Sequence, residues 1–345
     1  MRLNTQRYRE WKVRQNKKNL AIRTKKKEII RMRRTKQIEV RRHATVNTEK
    51  FFAPDIFSLT RNPEETAEFF EKIVNFIIGK KSFAQDLFID IAHIEYLSID
   101  ALMYLLAIVN NLNSKFKKNC RFRGNFPQDS KCRQLMRRSG FNKFVDYYGD
   151  EPIERSSDTV QIVSGDEVLP RTAKQICDFV IKRGNMTKKA CSFLYNIIIE
   201  LMSNSHNHAY SEKAEGILYS RWYCFADYDS AQDCIHFTFM DTGEGIPATV
   251  KRRGIEKLDI LHLTNDCDYV ISALRGDFNR SQTGLLHRGK GLPKIYNMRK
   301  ENLIQDFQII SNHANVIADP QKPILSELKH PLKGTLFYWN IKLSF

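Results

Sequence analysis

No apolar run in this chain of 345 residues is longer than Ala101 to Val109, well short of the roughly 20 residues that a membrane-spanning helix needs. The N-terminus is basic but has no apolar stretch behind it, so it lacks the core of a signal peptide. Both absences set the expectation of a cytoplasmic protein without a membrane segment. Cysteine is sparse: Cys120, Cys132, Cys177, Cys191, Cys224, Cys234 and Cys267 form no Cys-x-x-Cys pair and leave an odd one over. That argues against a disulfide frame or a zinc site and for free thiols in a reducing compartment. Residues 1–43 lack glycine and proline and hold two aromatic residues, Tyr8 and Trp11. So few stacking platforms argue against a site that reads single-stranded bases.

What those residues do have is charge. They carry 17 Lys or Arg against three acidic residues, a net +14 of the chain's +17, which leaves the remaining 302 residues nearly neutral at +3. Residues 1–50 therefore read as a basic arm, helical or disordered. It is either a solvated tail or a grip on phosphate backbones or another acidic surface. The length beyond the arm suits two domains.

Residues 51–150 alternate helical and strand patterns. Pro63 to Lys80 has helical periodicity with Glu64 and Glu65 at its start, and Asp86 to Ile91 reads as a buried strand. Ser98 can cap a helix whose Leu102, Leu105, Leu106 and Val109 make one face. A short strand at Arg121 to Arg123 precedes Gly124-Asn125-Phe126-Pro127 and a helix from Ser130 to Ser139, which Gly140 ends. This pattern predicts a small α/β domain. A polar linker from Tyr147 to Gly165, with Glu151-Pro152 and Ser156-Ser157-Asp158, marks the boundary to a second domain over residues 155–345.

The second half opens with helical patterns from Thr172 to Lys182 and from Thr187 to His208. In the latter, Asn196, Glu200, Asn204 and His208 recur every four residues as a polar stripe. The rest of that helix is apolar almost all round, and polar groups on a buried helix need partners. Strand patterns follow at Gly216 to Ala226 and Cys234 to Met240. The second of these delivers Asp241-Thr242-Gly243-Glu244-Gly245-Ile246-Pro247, whose glycines permit a tight turn or close approach of a ligand. His287-Arg288-Gly289-Lys290-Gly291-Leu292-Pro293 leads into a helical pattern from Leu292 to Lys300, and that helix start, with Arg288 and Lys290, suits an anion. Lys333-Gly334-Thr335 is the last of four segments that, singly, are compatible with ordinary turns and solvated faces.

In order and spacing, the four segments together resemble the GHKL superfamily of gyrase, the large heat-shock chaperones, histidine kinases and MutL, over roughly Arg155 to Phe345. Glu200-x-x-x-Asn204-x-x-x-His208-Ala209-Tyr210 looks most like the anti-sigma factor serine kinases. Residues 51–150 resemble the STAS domain of bacterial anti-sigma factor antagonists, the usual partners of those kinases, in Phe88 to Leu106 and in the Gly-Asn-Phe-Pro and Ser-Gly-Phe turns. STAS domains start the corresponding helix with Asp-Ser-Ser-Gly and phosphorylate its second serine. This chain has Ser98-Ile99-Asp100-Ala101, which puts Asp100 at the acceptor position and implies a constitutive docking module.

The resemblance implies a GHKL-type α/β sandwich with a mixed sheet, preceded by a small STAS-like α/β domain, with ATP and magnesium as ligands. Asn204 would bind magnesium through its amide oxygen, and Glu200 would be the general base. Asp241 would accept a hydrogen bond from the adenine amino group, with Thr335 supporting the same edge. Gly243 and Gly245 would let the chain pass the nucleotide, while Arg288, Gly289, Lys290, Gly291 and Leu292 would close over the phosphates. His208 would pack at its helix end. Ala248 to Leu286 would be a lid with Gly276 and Gly284 as hinges and Arg275 and Arg280 within reach of the phosphates.

The function expected is an ATPase acting as a nucleotide-dependent regulatory switch on a protein or nucleic-acid partner. The alternatives are a protein serine/threonine kinase of the anti-sigma factor type, and a nucleic-acid-binding adaptor, in antiviral defence for example, in which ATP is structural. A sensor histidine kinase is disfavoured because no helical hairpin with a phosphoacceptor histidine precedes the ATP domain, and topoisomerase and MutL-like architectures lack their transducer segment. The partners admitted are a regulatory protein, nucleic acid through residues 1–43, and a second copy of the chain.

Overall fold

Parallel strands cannot be joined by a tight turn, and the first half of the chain is built around that constraint. The computed structural model describes residues 48–78, 86–115, 121–144, 156–183, 188–208, 221–252, 263–278, 291–319 and 321–343. Residues 1–47 of the basic arm, Cys120, Ala209, Tyr210, Arg280, Gly284, Arg288, Gly289 and Lys290 lie outside the described residues, whereas Thr48 to Lys50, expected in the arm, begin a strand. Strands β1 (Thr48–Phe52), β3 (Asp86–Asp90) and β5 (Arg121–Gly124) form a parallel sheet in the order β1-β3-β5. Helices α1 (Pro63–Ile78) and α2 (Ile99–Lys115) lie in the crossovers, and two short strands, β2 (Ile56–Phe57) and β4 (Tyr96–Leu97), pair beside them. Helix α3 (Ser130–Arg138) is capped by Asp129, whose carboxylate accepts from the Cys132 amide at 2.8 Å. The chain leaves α3 through Gly140 at φ 78°.

Asp100 is a structural residue here, only 1% exposed. It accepts from the Leu59 amide at 2.7 Å, from the Thr60 hydroxyl at 2.8 Å, and from Ser98 Oγ. Burial raises its pKa, against the lowering pull of those donors. The residue thus ties the turn after β2 to the start of α2. Ser98 opens that helix with its carbonyl, which accepts from the Leu102 amide.

In the second half, strands β6 (Thr159–Gly165), β7 (Trp222–Asp229), β8 (Cys234–Asp241), β9 (Gln305–Ile317) and β10 (Ile324–Lys342) form a sheet in the order β6-β7-β8-β10-β9. Every neighbouring pair is antiparallel, so the mixed sheet expected here is not formed. Short connections join β7 to β8 and β9 to β10, while a long helical crossover after β8 carries β9 past β10. β8 and β9 therefore share a direction without touching as neighbours. β6 lies inside the segment expected to be linker. A register shift between Val160 and Val163 in its pairing with β7 lets Val160 and Ile162 enter different clusters of the core.

Alternation sends the side chains of this sheet to two cores. One face, with Trp222, Phe237, Phe239 and Trp339, packs under α4 (Pro170–Arg183), α5 (Lys188–His208), α7 (Asp266–Arg275) and α8 (Gly291–Lys300). Phe237 stacks on Trp339 with ring centroids 5.3 Å apart. The other face, with Tyr223, Phe225, Met240, Ile310 and Leu336, joins Phe57, Phe70, Ile73, Leu102 and Leu106 of the first half in one cluster. The two halves share that core, and Thr48–Phe345 is one compact unit.

The protein is thus an α/β protein with parallel and antiparallel sheets. No described helix is long and apolar enough to cross a membrane. The six described cysteines are unpaired and buried, and burial pushes the thiols of Cys177 and Cys224 up to about 12, which keeps them protonated.

Candidate functional site

Helix α5 packs Leu194, Ile197, Ile198, Leu201 and Met202 into the core, and two residues of its polar stripe face a neighbouring cavity. Glu200 and Asn204, one turn apart, both line that cavity. The cavity measures about 140 Å³, whereas about 10–15 Å³ suffices for one water, so it admits a small molecule. Asp241, at the end of β8, and Thr335, opposite it on β10, form another wall. Gly243 and Gly245 follow Asp241 around the rim, and Gly291 and Leu292 close the side nearest Glu200.

The segments after β8 and β10 are held by tight contacts. The Gly243 amide donates to Asp241 Oδ1 at 2.8 Å. Burial outweighs that bond and raises the Asp241 carboxyl to about 7, although the residue keeps some exposed surface on the cavity wall. Gly334 sits at φ 98°, and a Cβ there would lie 2.0 Å from the Asp241 carbonyl oxygen, so only glycine lets β10 pass β8 this closely. Gly245, at φ 89°, would place a Cβ 2.5 Å from Oδ1 of Asn312.

Two residues with no motif to announce them organise this end of the site. Ser311 Oγ accepts from the Ile246 amide at 2.9 Å, donates to the Gly334 carbonyl at 3.0 Å, and lies 3.1 Å from Thr335 Oγ1. Asn312 donates to the Glu244 carbonyl at 2.9 Å and accepts from the Ala248 amide at 3.3 Å. Together they fasten the glycine-bearing turn to β9. Their only trace in the sequence is a polar pair after the apolar Ile309-Ile310.

Glu200 is fixed from the other side. Gly291 opens α8 directly against it, and a Cβ at 291 would stand 1.8 Å from Glu200 Cγ. Beyond this contact lies a second cavity of about 260 Å³, lined by Phe193, Asn196, Glu200, Gly291, Lys294 and Asn297 among others. Glu200 and Gly291 thus border both spaces. Asn196 belongs to the second cavity and not to the first.

The segment expected to be a lid is, where described, a cavity wall. Helix α6 (Ile246–Arg252) contributes Thr249 and Val250, and α7 contributes Ala273. α7 is anchored by buried Cys267, Val270, Ile271 and Leu274 and by a capping box between Asn265 and Asp268. Gly276 is its left-handed C-cap at φ 81°, and Arg275 is exposed and outside the cavity lining. Within residues 263–278 the buried face of α7 packs this part of the segment against the core.

The described walls of the first cavity carry three carboxylates, Glu200, Asp241 and Glu244, with the Asn204 amide and no Lys or Arg. No cluster of three His, Cys, Asp or Glu side chains able to hold a metal occurs among the described residues. The donor set that is present, one amide oxygen beside carboxylates, fits a hard divalent cation that keeps most of its shell from water and from phosphate. No family model matches the chain, and no curated protein matches it.

Proposed function

We propose that the first cavity binds magnesium-ATP in the manner of a GHKL-type site and that the protein is a nucleotide-dependent regulatory switch. One observation carries this reading: Glu200 and Asn204 of α5, Asp241 and its glycine turn, Gly291 of α8 and Thr335 of β10, far apart in the chain, converge on one cavity. The adenine would lie against Asp241 and Thr335, whose acceptors face its amino edge. Asn204 would hold the magnesium, which supplies neutralisation of phosphate charge.

Glu200 would take the proton of an attacking water. The water oxygen forms the new bond to the γ-phosphorus, the bond from that phosphorus to the β-phosphate oxygen breaks, and ADP leaves with the electron pair. The STAS-like reading of the first half is supported by its parallel strands and interleaved helices. With Asp100 buried, that half would work as a built-in part of the switch. A second reading, transfer to a protein hydroxyl, is favoured by the second cavity, which reaches Glu200 from outside and is wide enough for a side chain.

Calorimetric titration tests the binding. Asp241→Asn removes the adenine acceptor and Asn204→Ala the metal ligand, and both should weaken ATP several-fold. Unchanged affinity in the two variants would reject the assignment. Incubation with γ-labelled ATP, alone and with lysate, then separates release of phosphate from labelling of a protein.

A further inference from the structure

Between Glu327 and Thr335, β10 leaves its regular ladder: the pairing with β9 slips between Glu327 and Leu332 and again between Leu332 and Thr335. Backbone groups released from a ladder need other partners. Here α1 and α2 supply them. The Lys329 amide donates to both carboxylate oxygens of Glu64, at 3.1 and 3.2 Å. His330 Nδ1 lies 2.5 Å from Oε2 of Glu71. The Lys333 amide donates to the Tyr104 hydroxyl at 3.1 Å. Leu328 and Leu332 are pinned in the shared core beneath.

These three attachments are not equivalent. The Glu64 and Glu71 contacts are exposed or half-exposed, where water and salt weaken them. Tyr104 is 3% exposed, its ring packed on Phe70 at a centroid distance of 4.7 Å. Its hydroxyl is therefore fixed in place. Immediately after Lys333 come Gly334, which has no room against the Asp241 carbonyl, and Thr335, which faces Asp241 across the strands and lines the cavity. A shift at Lys333 has no slack to dissipate in before it reaches Asp241 and Thr335.

We infer that Tyr104 is a positioning residue for the proposed nucleotide site, and that α2 of the first half controls the adenine end of that site through the irregular stretch of β10. This rests on the ATP reading for its functional meaning and on the contacts alone for its mechanics. Coupling between sites is reciprocal. A partner that displaces α2 lowers nucleotide affinity, and nucleotide in the cavity stiffens the attachment of α2.

The test is Tyr104→Phe in the full chain, which keeps the packed ring and deletes only the acceptor of the Lys333 amide. ATP affinity should fall about fivefold, the lower end of ordinary coupling between sites. Amide exchange at Lys333, Gly334 and Thr335 should quicken even without nucleotide. Ile89→Val, which removes one methylene from the parallel sheet in the same core, serves as the control for a general loss of stability and should change both readouts less than Tyr104→Phe does. Parental affinity together with parental exchange at those three amides in Tyr104→Phe, or changes no larger than those of Ile89→Val, would overturn the inference. If the parent protein does not bind ATP, the functional reading fails by itself, and the exchange of Lys333 to Thr335 still decides whether Tyr104 holds the stretch.

Discussion

A methyl group added at position 291 would separate the proposed catalytic role of Glu200 from nucleotide binding. Gly291, the first residue of α8, is not among the glycines held at positive φ, so alanine suits its backbone. The new Cβ would stand 1.8 Å from Glu200 Cγ, 2.6 Å from Cδ and 2.8 Å from Oε1, against an optimal carbon–carbon separation of about 3.5–4.0 Å. One of the two must move by more than 1 Å. The side chain of Glu200 yields more cheaply than the helix, since an off-rotamer torsion costs only about 0.5–1.5 kcal/mol. A cost of that size should lower the melting temperature by no more than about 4 °C. The carboxylate, however, leaves its position. Misplacement of a reacting group by about 1 Å costs on the order of 100-fold, and outright loss of a general base about 100- to 10,000-fold. Gly291→Ala should therefore lower phosphate release at least about 100-fold while ATP binds within a few-fold of the parent, as measured by steady-state turnover beside calorimetry. Glu200→Gln should show the same split, and combining the two should add little, as for groups acting as one unit. An alanine variant that turns over at the parental rate would refute the assignment of Glu200, because no arrangement leaves both atoms where they are.

Three further outcomes follow from charge. Burial lifts Asp241 to about 7, above the value near 3.9 of an unfolded aspartate, so its contribution to stability is fully present below about pH 4 and is lost as pH rises through 7. Without nucleotide, the melting temperature of the parent should fall between pH 5 and pH 8 relative to that of Asp241→Asn, and parallel curves would show that Asp241 does not titrate there. If adenine selects the ionised carboxylate, ATP binding near pH 6.5 should release a proton. Calorimetry in buffers of different ionisation enthalpy reads that release, and it should vanish in Asp241→Asn. For the basic arm, binding to DNA or RNA should weaken log-linearly with salt, by a slope of about 0.9 per phosphate contacted, and deletion of residues 1–47 should abolish it while sparing ATP affinity. Equal, equally salt-sensitive binding by the truncated protein would assign the charge another purpose.

All described helices except α6 and α7, which fall in the segment read as a lid, and the strand that ends at Asp241 were legible because their apolar spacing is regular. So were Glu200, Asn204, Asp241, Gly291 and Thr335 as a group, since their segments carry glycines and polar residues where packing alone would not put them. The strands β9 and β10 were not legible. Ser311-Asn312-His313 interrupts the alternation of one, and Pro331-Leu332-Lys333-Gly334 interrupts the other, at the irregularities that shape the cavity. β6 was hidden by the Ser- and Asp-rich residues in front of it and by its own register shift. The burial of Asp100 could not be read either. A carboxylate at a helix start ordinarily faces solvent, and the donors that make its burial tolerable, Leu59 and Thr60, come from a turn about forty residues earlier.

The face of the antiparallel sheet that carries Tyr223, Phe225, Met240, Ile310 and Leu336 has a consequence for how the protein can be governed. Removing the first half would return these side chains to water at a cost on the order of 10 kcal/mol, as much as the entire net stability of an ordinary domain. A fragment cut at the apparent linker would aggregate. In the intact chain the same face is closed to any visitor, so no regulator can seize it in trans without first evicting residues of the same polypeptide. The first half is in effect a resident subunit at fixed, concentration-independent occupancy, and a partner could act on the cavity only by straining this built-in contact, not by replacing it.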